Sequence, residues 1–464
     1  MKKIVFVVGV VFMMILSVNA QNEAKVYYVE LIDGKKIESN PIKQIEGKST
    51  KEGILVRLYP DITFQTIEGV GGAFNEIGGE ALMSLDKEQQ NEIMKNLFGK
   101  NTANFSLCRT AIGASDFGID AYSYSEVSDD FKMKNFSVQR EEKSVIPYIQ
   151  LAYKYNPEMS LFASPWSPPG WMKESGLMDK GASNPSKNVL KDDSEIYNAY
   201  ALYFSKYVEA YAKEGIDVNR IVIQNEQDLS TKYPSCNMPP EQMGKFVINY
   251  LRPRFKKENT TTEIWAGSFR TAKRLDGLEF VTNEKWREAV DGVGIQYINS
   301  RQIENMQAVF PEIKFLHTEG NCFGGENSVN QAFSRFDEVA SYINHGVPNF
   351  CYWNMILNET GTSGWGWKQN CLINIDRENK TVTYNPDYAA MSLFGRFMQA
   401  GMKRIASASW YNGTITLADD KNVYLFIKND SESVKTFDIW LKDNHIKAVD
   451  IPAQTLSVVV VNYN

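Results

Sequence analysis

The stretch Arg220-Ile-Val-Ile-Gln-Asn-Glu226 runs through three apolar residues and stops at a carboxylate, and Phe315-Leu-His-Thr-Glu319 repeats that ending further along the chain. A short apolar run that terminates in a polar residue is what a buried parallel strand leaves at its carboxyl end. Working outward from Arg220–Asn225 and Ile313–Thr318, runs of the same kind occur at Ile67–Phe74, Ala103–Ile112, Ser160–Trp166, Glu263–Gly267, Gly292–Tyr297 and Asn349–Asn354. Between them lie amphipathic segments of helical period, among them Glu88–Phe98, Ser144–Tyr155, Ile196–Glu214 and Gln331–Asn344. Eight strands alternating with helices predict an α/β fold, a (β/α)8 TIM barrel over residues 67–397.

The two chain ends read differently. From Ala24 to Phe64 the runs are short and strand-like, as in Val26-Tyr-Tyr-Val29 and Gly53–Tyr59, with turns at Asp33-Gly34 and Glu46-Gly47. After about Met402 the helical pattern stops, and Thr414–Ala418, Asn422–Lys428, Val434–Leu441 and Thr455–Val461 read as antiparallel strands. Residues 21–66 and 398–464 are therefore expected to build an all-β unit beside the barrel. At the start, Lys2 and Lys3 precede the apolar run Ile4–Leu16 and the small-residue pattern Val18-Asn-Ala20, which predicts a signal peptide over residues 1–20. The expectation is an exported protein, periplasmic or secreted, with no transmembrane segment in the mature chain.

Composition narrows the chemistry. Fifty Lys and Arg against 56 Asp and Glu give a net charge of −6, which leaves no basic footprint for nucleic acid. Three histidines, His317, His345 and His445, stand at spacings that make no metal site, so neither a metal nor another cofactor is expected. Five cysteines leave at least one unpaired, and Cys108 and Cys351, inside strand-like runs, read as buried free thiols. Carboxylates and aromatic rings must then carry the chemistry.

In a βα barrel, reactive groups sit at the carboxyl ends of the strands. Those ends are Arg109–Asp116, Ser164–Trp171, Gln224-Asn-Glu226, His317-Thr-Glu319 and Tyr352-Trp-Asn354. One strand-end glutamate alone is as well explained by an ion pair. Two of them, Glu226 and Glu319 on strands four and seven, face each other across an eight-stranded barrel. Two carboxyls about 5–5.5 Å apart are what retaining glycoside hydrolysis requires. Tryptophans near the rim suit the apolar face of a sugar, although some of the nine must simply pack the core.

At these residues the chain resembles glycoside hydrolase family 30, the family that includes lysosomal glucocerebrosidase. The resemblance runs through Glu68-Gly-Val-Gly-Gly-Ala-Phe74, Ser115–Tyr124, Asp129-Asp-Phe131, Asn135-Phe-Ser137, Ala163-Ser-Pro-Trp-Ser167, Gln224-Asn-Glu226 and Thr318-Glu319, in that order. It implies a catalytic barrel with a flanking β-sandwich drawn from both chain ends. It implies Glu226 as general acid/base, Glu319 as nucleophile, and Asn225 as a donor to the sugar 2-hydroxyl. Asp116, Trp166 and Trp353 match positions that hold the terminal sugar, and Arg109 matches a barrel arginine that keeps the nucleophile ionised. Asn354 and Asn358 are further candidates for substrate contacts, and the Gly- and Trp-rich loop from Gly361 to Asn370 is the place for subsite closure.

Two departures bear on the surroundings of the sugar. Where the family has His-Trp-Tyr on strand six, this chain has Gln296-Tyr297-Ile298, so the histidine is an amide. The tyrosine that often bonds the nucleophile is supplied only if Tyr297 takes its place by a change of register. Gln227 stands where the family prefers proline after the acid/base. The expected substrate is a carbohydrate or glycoconjugate, most simply a β-glucoside of the glucosylceramide or β-1,6-glucan type. A β-xylosidase or β-fucosidase on the same fold, or a catalytically altered carbohydrate-binding protein, are the alternatives.

Overall fold

The computed structural model describes residues 24–270 and 275–463. The expected signal peptide, residues 1–20, lies outside the described residues. The barrel strands, counted alone, are β1 (Gly69–Phe74), β2 (Leu107–Ala111), β3 (Ser160–Ser164), β4 (Arg220–Val222), β5 (Glu263–Phe269), β6 (Gly292–Gln296), β7 (Phe315–Glu319) and β8 (Asn349–Asn354). Each falls on one of the eight predicted runs. Adjacent strands pair in parallel from β7 back through β1 to β8. The approach of β1 to β2 explains the glycines of the first motif: a Cβ on Gly71 would stand 2.2 Å from the Leu107 carbonyl oxygen.

Between β7 and β8 the barrel closes largely through side chains. The Asn349 side-chain oxygen accepts from the His317 backbone N–H (2.7 Å), His317 Nδ1 accepts from the Cys351 N–H (3.1 Å), and Gly320 N–H reaches the Cys351 carbonyl (2.7 Å). His317 is fully buried and stacks on Phe350 (4.2 Å, 13°). Burial holds its pKa well below the usual imidazole range, so the ring stays neutral and serves as an acceptor.

The chain ends interleave in a nine-stranded sheet. Ile54–Thr66 lies between Lys403–Ser409, antiparallel, and Lys435–Leu441, parallel. Ala24–Glu30 pairs with Thr455–Asn462. This sheet surrounds its own apolar core, in which Val26, Val56, Phe437 and Val459 meet. Three strands here, Lys403–Ser409, Asn444–Ile451 and Lys43–Glu46, were not among the sequence expectations. The first carries a single buried large apolar residue, Ile405, and so shows little alternation. A three-stranded sheet, Ile356–Asn358, Ile373–Asp376 and Thr381–Tyr384, also follows β8 unannounced, its strands too short to give a period. All five cysteines are buried and unpaired. No helix among the described residues is long and apolar enough to cross a membrane.

Candidate active site

The site lies where β2, β3, β4, β6, β7 and β8 end. Strand β4 is only three residues long, and beyond it the Ile223 and Gln224 N–H groups reach the carbonyls of Trp265 and Gly267. Gln224 Nε2 then donates to the Trp166 carbonyl (2.8 Å), tying this segment to β3. Glu226 follows with φ of +46°, a left-handed conformation that a non-glycine residue adopts only under local constraint. Opposite, the pairing of β7 with β6 shifts between His317 and Glu319, and that of β8 with β1 shifts between Tyr352 and Asn354. Bulges of this kind re-aim strand-end side chains, here beside Glu319 and Trp353.

Arg109, on β2, organises the floor. Its guanidinium is fully buried and reaches β3, β7 and the segment that follows β4. Nη1 donates to Glu319 Oε2 (2.7 Å) and to the Thr318 carbonyl (2.9 Å), and Nη2 donates to Ser164 Oγ (2.6 Å) and Asn225 Oδ1 (2.8 Å). The guanidinium also lies 4.5 Å from the Trp166 ring centroid, and Trp166 stacks on Trp353 at 4.9 Å. Each indole therefore has one face occupied by the other. On Trp353 the buried Nε1 has no acceptor among the described residues.

Glu319 is held from a second side. Tyr297, with φ of +51°, donates its hydroxyl to Glu319 Oε1 (2.6 Å). The change of register raised by the sequence is thus realised: the phenol comes from one residue earlier, on a backbone turned left-handed. Gln296 sits beneath, its Oε1 accepting from Thr318 Oγ1 (2.7 Å). Burial raises the pKa of Glu319, while Arg109, the Tyr297 hydroxyl and Gln296 all pull it down. Glu226 has less help. Burial and the negative charge of Glu319 push it up to about 8, and Arg270 Nε, 3.8 Å away and paired with Asp228 at 2.8 Å, only partly offsets them. Of the two carboxyls Glu319 ionises more readily, because two close donors favour its anion.

Asp116 is buried in the same cluster. Desolvation, then Glu319 and Glu226, raise its pKa well above the usual range, and its Oδ1 has no partner among the described residues. Two candidates are otherwise engaged. Asn354 accepts from Asn75 Nδ2 (3.0 Å) and donates to Gln369 Oε1 (2.7 Å), and Asn358 Oδ1 accepts from the N–H groups of Thr360 and Gly361, so both hold the β8 loop. That loop is pinned across the site by the Gly364 N–H donating to the Gly118 carbonyl (3.0 Å). Ser164, Asp228, Tyr233 and Arg270 were missed. Arg270 directly follows β5, a strand end with no acid or amide to draw attention. Among the described residues no group of three His, Cys, Asp or Glu side chains could hold a metal ion.

A (β/α)8 barrel with paired buried carboxyls at the ends of β4 and β7 defines a class, the glycoside hydrolases. The profile of the glycosyl hydrolase family 30 TIM-barrel domain matches residues 67–398, and the chain belongs to that family. It is 30% identical over 420 residues to putative glucosylceramidase 3 of Caenorhabditis elegans, covering 83% of this chain and 77% of that protein. It is 31% identical over 209 residues to endo-1,6-beta-D-glucanase BGN16.3 of Trichoderma harzianum, 44% of this chain and 43% of the other. The crystal structure of SrfJ from Salmonella typhimurium shares the fold, with a TM-score of 0.83 at 23% identity over 95% of this chain and 100% of that one.

Proposed function

We propose that the protein is a retaining β-glycosidase that acts on β-glucosides by double displacement. Glu319, the carboxyl held as an anion, attacks the anomeric carbon. Glu226, the carboxyl that keeps its proton at neutral pH, gives it to the leaving oxygen as the glycosidic bond breaks. The ester between the sugar and Glu319 is then hydrolysed by a water that Glu226, now ionised, deprotonates. The observation that carries this division of labour is the asymmetry of donors: Arg109 and Tyr297 both bond Glu319, and among the described residues Glu226 has the more distant Arg270.

The other groups have matching roles. With its Oδ1 held by Arg109, Asn225 is left its amide nitrogen for a sugar 2-hydroxyl. The unpartnered Asp116 Oδ1 and Trp353 Nε1 are an acceptor and a donor awaiting ring hydroxyls, since a buried polar group left unpaired costs about 1–3 kcal/mol. Gln296 and Trp166 line the floor beneath them. The glucose preference draws on the glucosylceramidase and glucanase names of the relatives. Residues 1–20 are read as a cleaved leader, which places the activity outside the cytoplasm. The test is hydrolysis of nitrophenyl β-glucoside, β-xyloside and β-fucoside side by side. The β-glucoside should show the highest kcat/KM; a higher value on either other sugar reassigns the glycone.

A further inference from the structure

Four aromatic rings from four strand-end segments form an unbroken arc over the proposed nucleophile. Tyr297, at the end of β6, lies 5.4 Å from Phe323 in the β7 loop; Phe323 lies 6.2 Å from Trp367 in the β8 loop; Trp367 lies 6.3 Å from Tyr233 in the β4 loop. One end bonds a carboxyl and the other lies within the electrostatic reach of three. Tyr297 bonds Glu319 directly, and the Tyr233 phenol is raised by burial and by the negative charges of Glu226, Asp116 and Glu319. Tyr233 also shares its loop with Glu226, so the arc opens on the side where the leaving oxygen receives its proton.

We propose that this arc is the platform for a pyranose ring in the leaving group, so that the substrate is a β-linked oligosaccharide. The inference rests on the glycosidase reading above and deepens it. Phe323 is 45% exposed, and Trp367 and Tyr233 are half-buried, which leaves ring surface at the mouth for stacking. The polar atoms choose between a sugar and an acyl chain. Trp367 Nε1 is buried with no acceptor among the described residues, and Arg270 extends beside Glu226 with a fifth of its side chain open to solvent. Arg270 already pairs with Asp228 through Nε, and a sugar hydroxyl offers its remaining N–H donors and the Trp367 N–H an acceptor that a hydrocarbon chain lacks. The rings are also held in place. Backbone bridges join Phe323 to Gln369 and Thr362 to Lys368, and Trp365 Nε1 donates to Asp179 (3.3 Å). A platform fixed before binding orders few side chains when the sugar arrives.

The experiment compares wild type with Phe323→Ala, Trp367→Ala and the milder Trp367→Phe on three substrates. These are β-glucosyl fluoride, whose leaving group has no ring, a β-1,6-linked glucose disaccharide, and octyl β-glucoside. The ratio of kcat/KM on the disaccharide to that on the fluoride should fall at least tenfold in both alanine variants, and less in Trp367→Phe, which keeps a ring but loses the N–H. The same ratio for octyl glucoside should move less than threefold. A disaccharide ratio within twofold of wild type overturns the platform, and an equal or larger loss on octyl glucoside makes the arc a lipid wall. Failure of the wild type to turn over the fluoride counts against the glycosidase reading instead. In that event calorimetric binding of the disaccharide still decides the platform, which is overturned if Trp367→Ala binds as tightly as wild type.

Discussion

Arg109 Nη1 stands 2.7 Å from Glu319 Oε2 while Nη2 of the same guanidinium stands 2.8 Å from Asn225 Oδ1, so one buried cation fixes both the proposed nucleophile and the neighbour of the proposed acid. The arrangement sets a guanidinium against the carboxyl proposed as nucleophile and leaves the other carboxyl to its desolvated surroundings. Most of the expected behaviour of the site follows from that difference.

Replacement of Glu319 by Gln keeps the shape of the side chain and removes its nucleophilicity. Turnover of nitrophenyl β-glucoside should fall by roughly 10³-fold or more, as for other covalent nucleophiles. Activity kept within tenfold of wild type, in an enzyme with unchanged melting temperature, would remove Glu319 from the role.

Glu226→Ala should separate substrates by leaving group. A substrate with a poor leaving group needs its oxygen protonated and should lose about 10²-fold or more; dinitrophenyl β-glucoside should lose far less in the glycosylation step. Added azide should restore turnover by attacking the sugar ester in place of water, giving the β-glucosyl azide. Equal losses on both substrates, with no azide product, would leave Glu226 without the acid role.

Under the proposed mechanism the alkaline limb of kcat/KM reports Glu226. Its acid form must be present for the first step, and with the pKa pushed up to about 8 the rate should fall as pH rises through that value. The Arg270 cation favours the Glu226 anion and so holds this pKa down. Arg270→Met should therefore move the alkaline limb to higher pH. A limb that stays put, or moves to lower pH, contradicts the pairing.

Tyr297→Phe removes a hydrogen bond that stabilises the Glu319 anion. The pKa of Glu319 should rise, so the acid limb of kcat/KM moves to higher pH and the rate falls about 10–100-fold. Loss of rate with an unmoved acid limb would mean that Tyr297 acts on the substrate and not on Glu319.

A buried carboxyl away from the site governs stability instead. Glu141 accepts from the hydroxyls of Tyr122 (2.6 Å), Tyr124 (2.8 Å) and Tyr211, and burial pushes it up to about 7. A carboxyl with a raised folded pKa stabilises fully below its unfolded value near 4.5, and that contribution is lost as pH rises through about 7. Relative to Glu141→Gln, wild type should lose on the order of 3 kcal/mol of stability across that window and no more above it. Denaturant melts at pH 4.5, 6 and 8 measure the difference, and parallel curves for the two proteins would contradict it.

Much of this site was legible in the chain because its two halves obey simple rules. Apolar runs ending in Glu226 and Glu319 mark buried parallel strands, and a carboxylate there has few roles open to it. Asp116 and Arg109 came through the family motifs. What the sequence concealed was set by backbone geometry. The reach of Tyr297 to Glu319 depends on a left-handed residue at the end of β6, and nothing in Gln296-Tyr297-Ile298 encodes a φ of +51°. Asn354 looked available because it ends β8, yet its amide is occupied at both ends by Asn75 and Gln369, residues far apart in the chain. Arg270 was invisible for the same reason, since only the folded barrel brings the end of β5 beside Glu226, and Tyr233 stands in the Glu226 loop with no motif to mark it.

The most direct test is to trap the covalent intermediate. Incubation with 2-deoxy-2-fluoro-β-glucosyl fluoride slows hydrolysis of the sugar ester more than its formation, and peptide mass spectrometry then locates the label. The account predicts stoichiometric labelling on the peptide that carries Glu319. A label on another residue, or no label together with an inverted, α-configured first product from a β-glucoside, would contradict it.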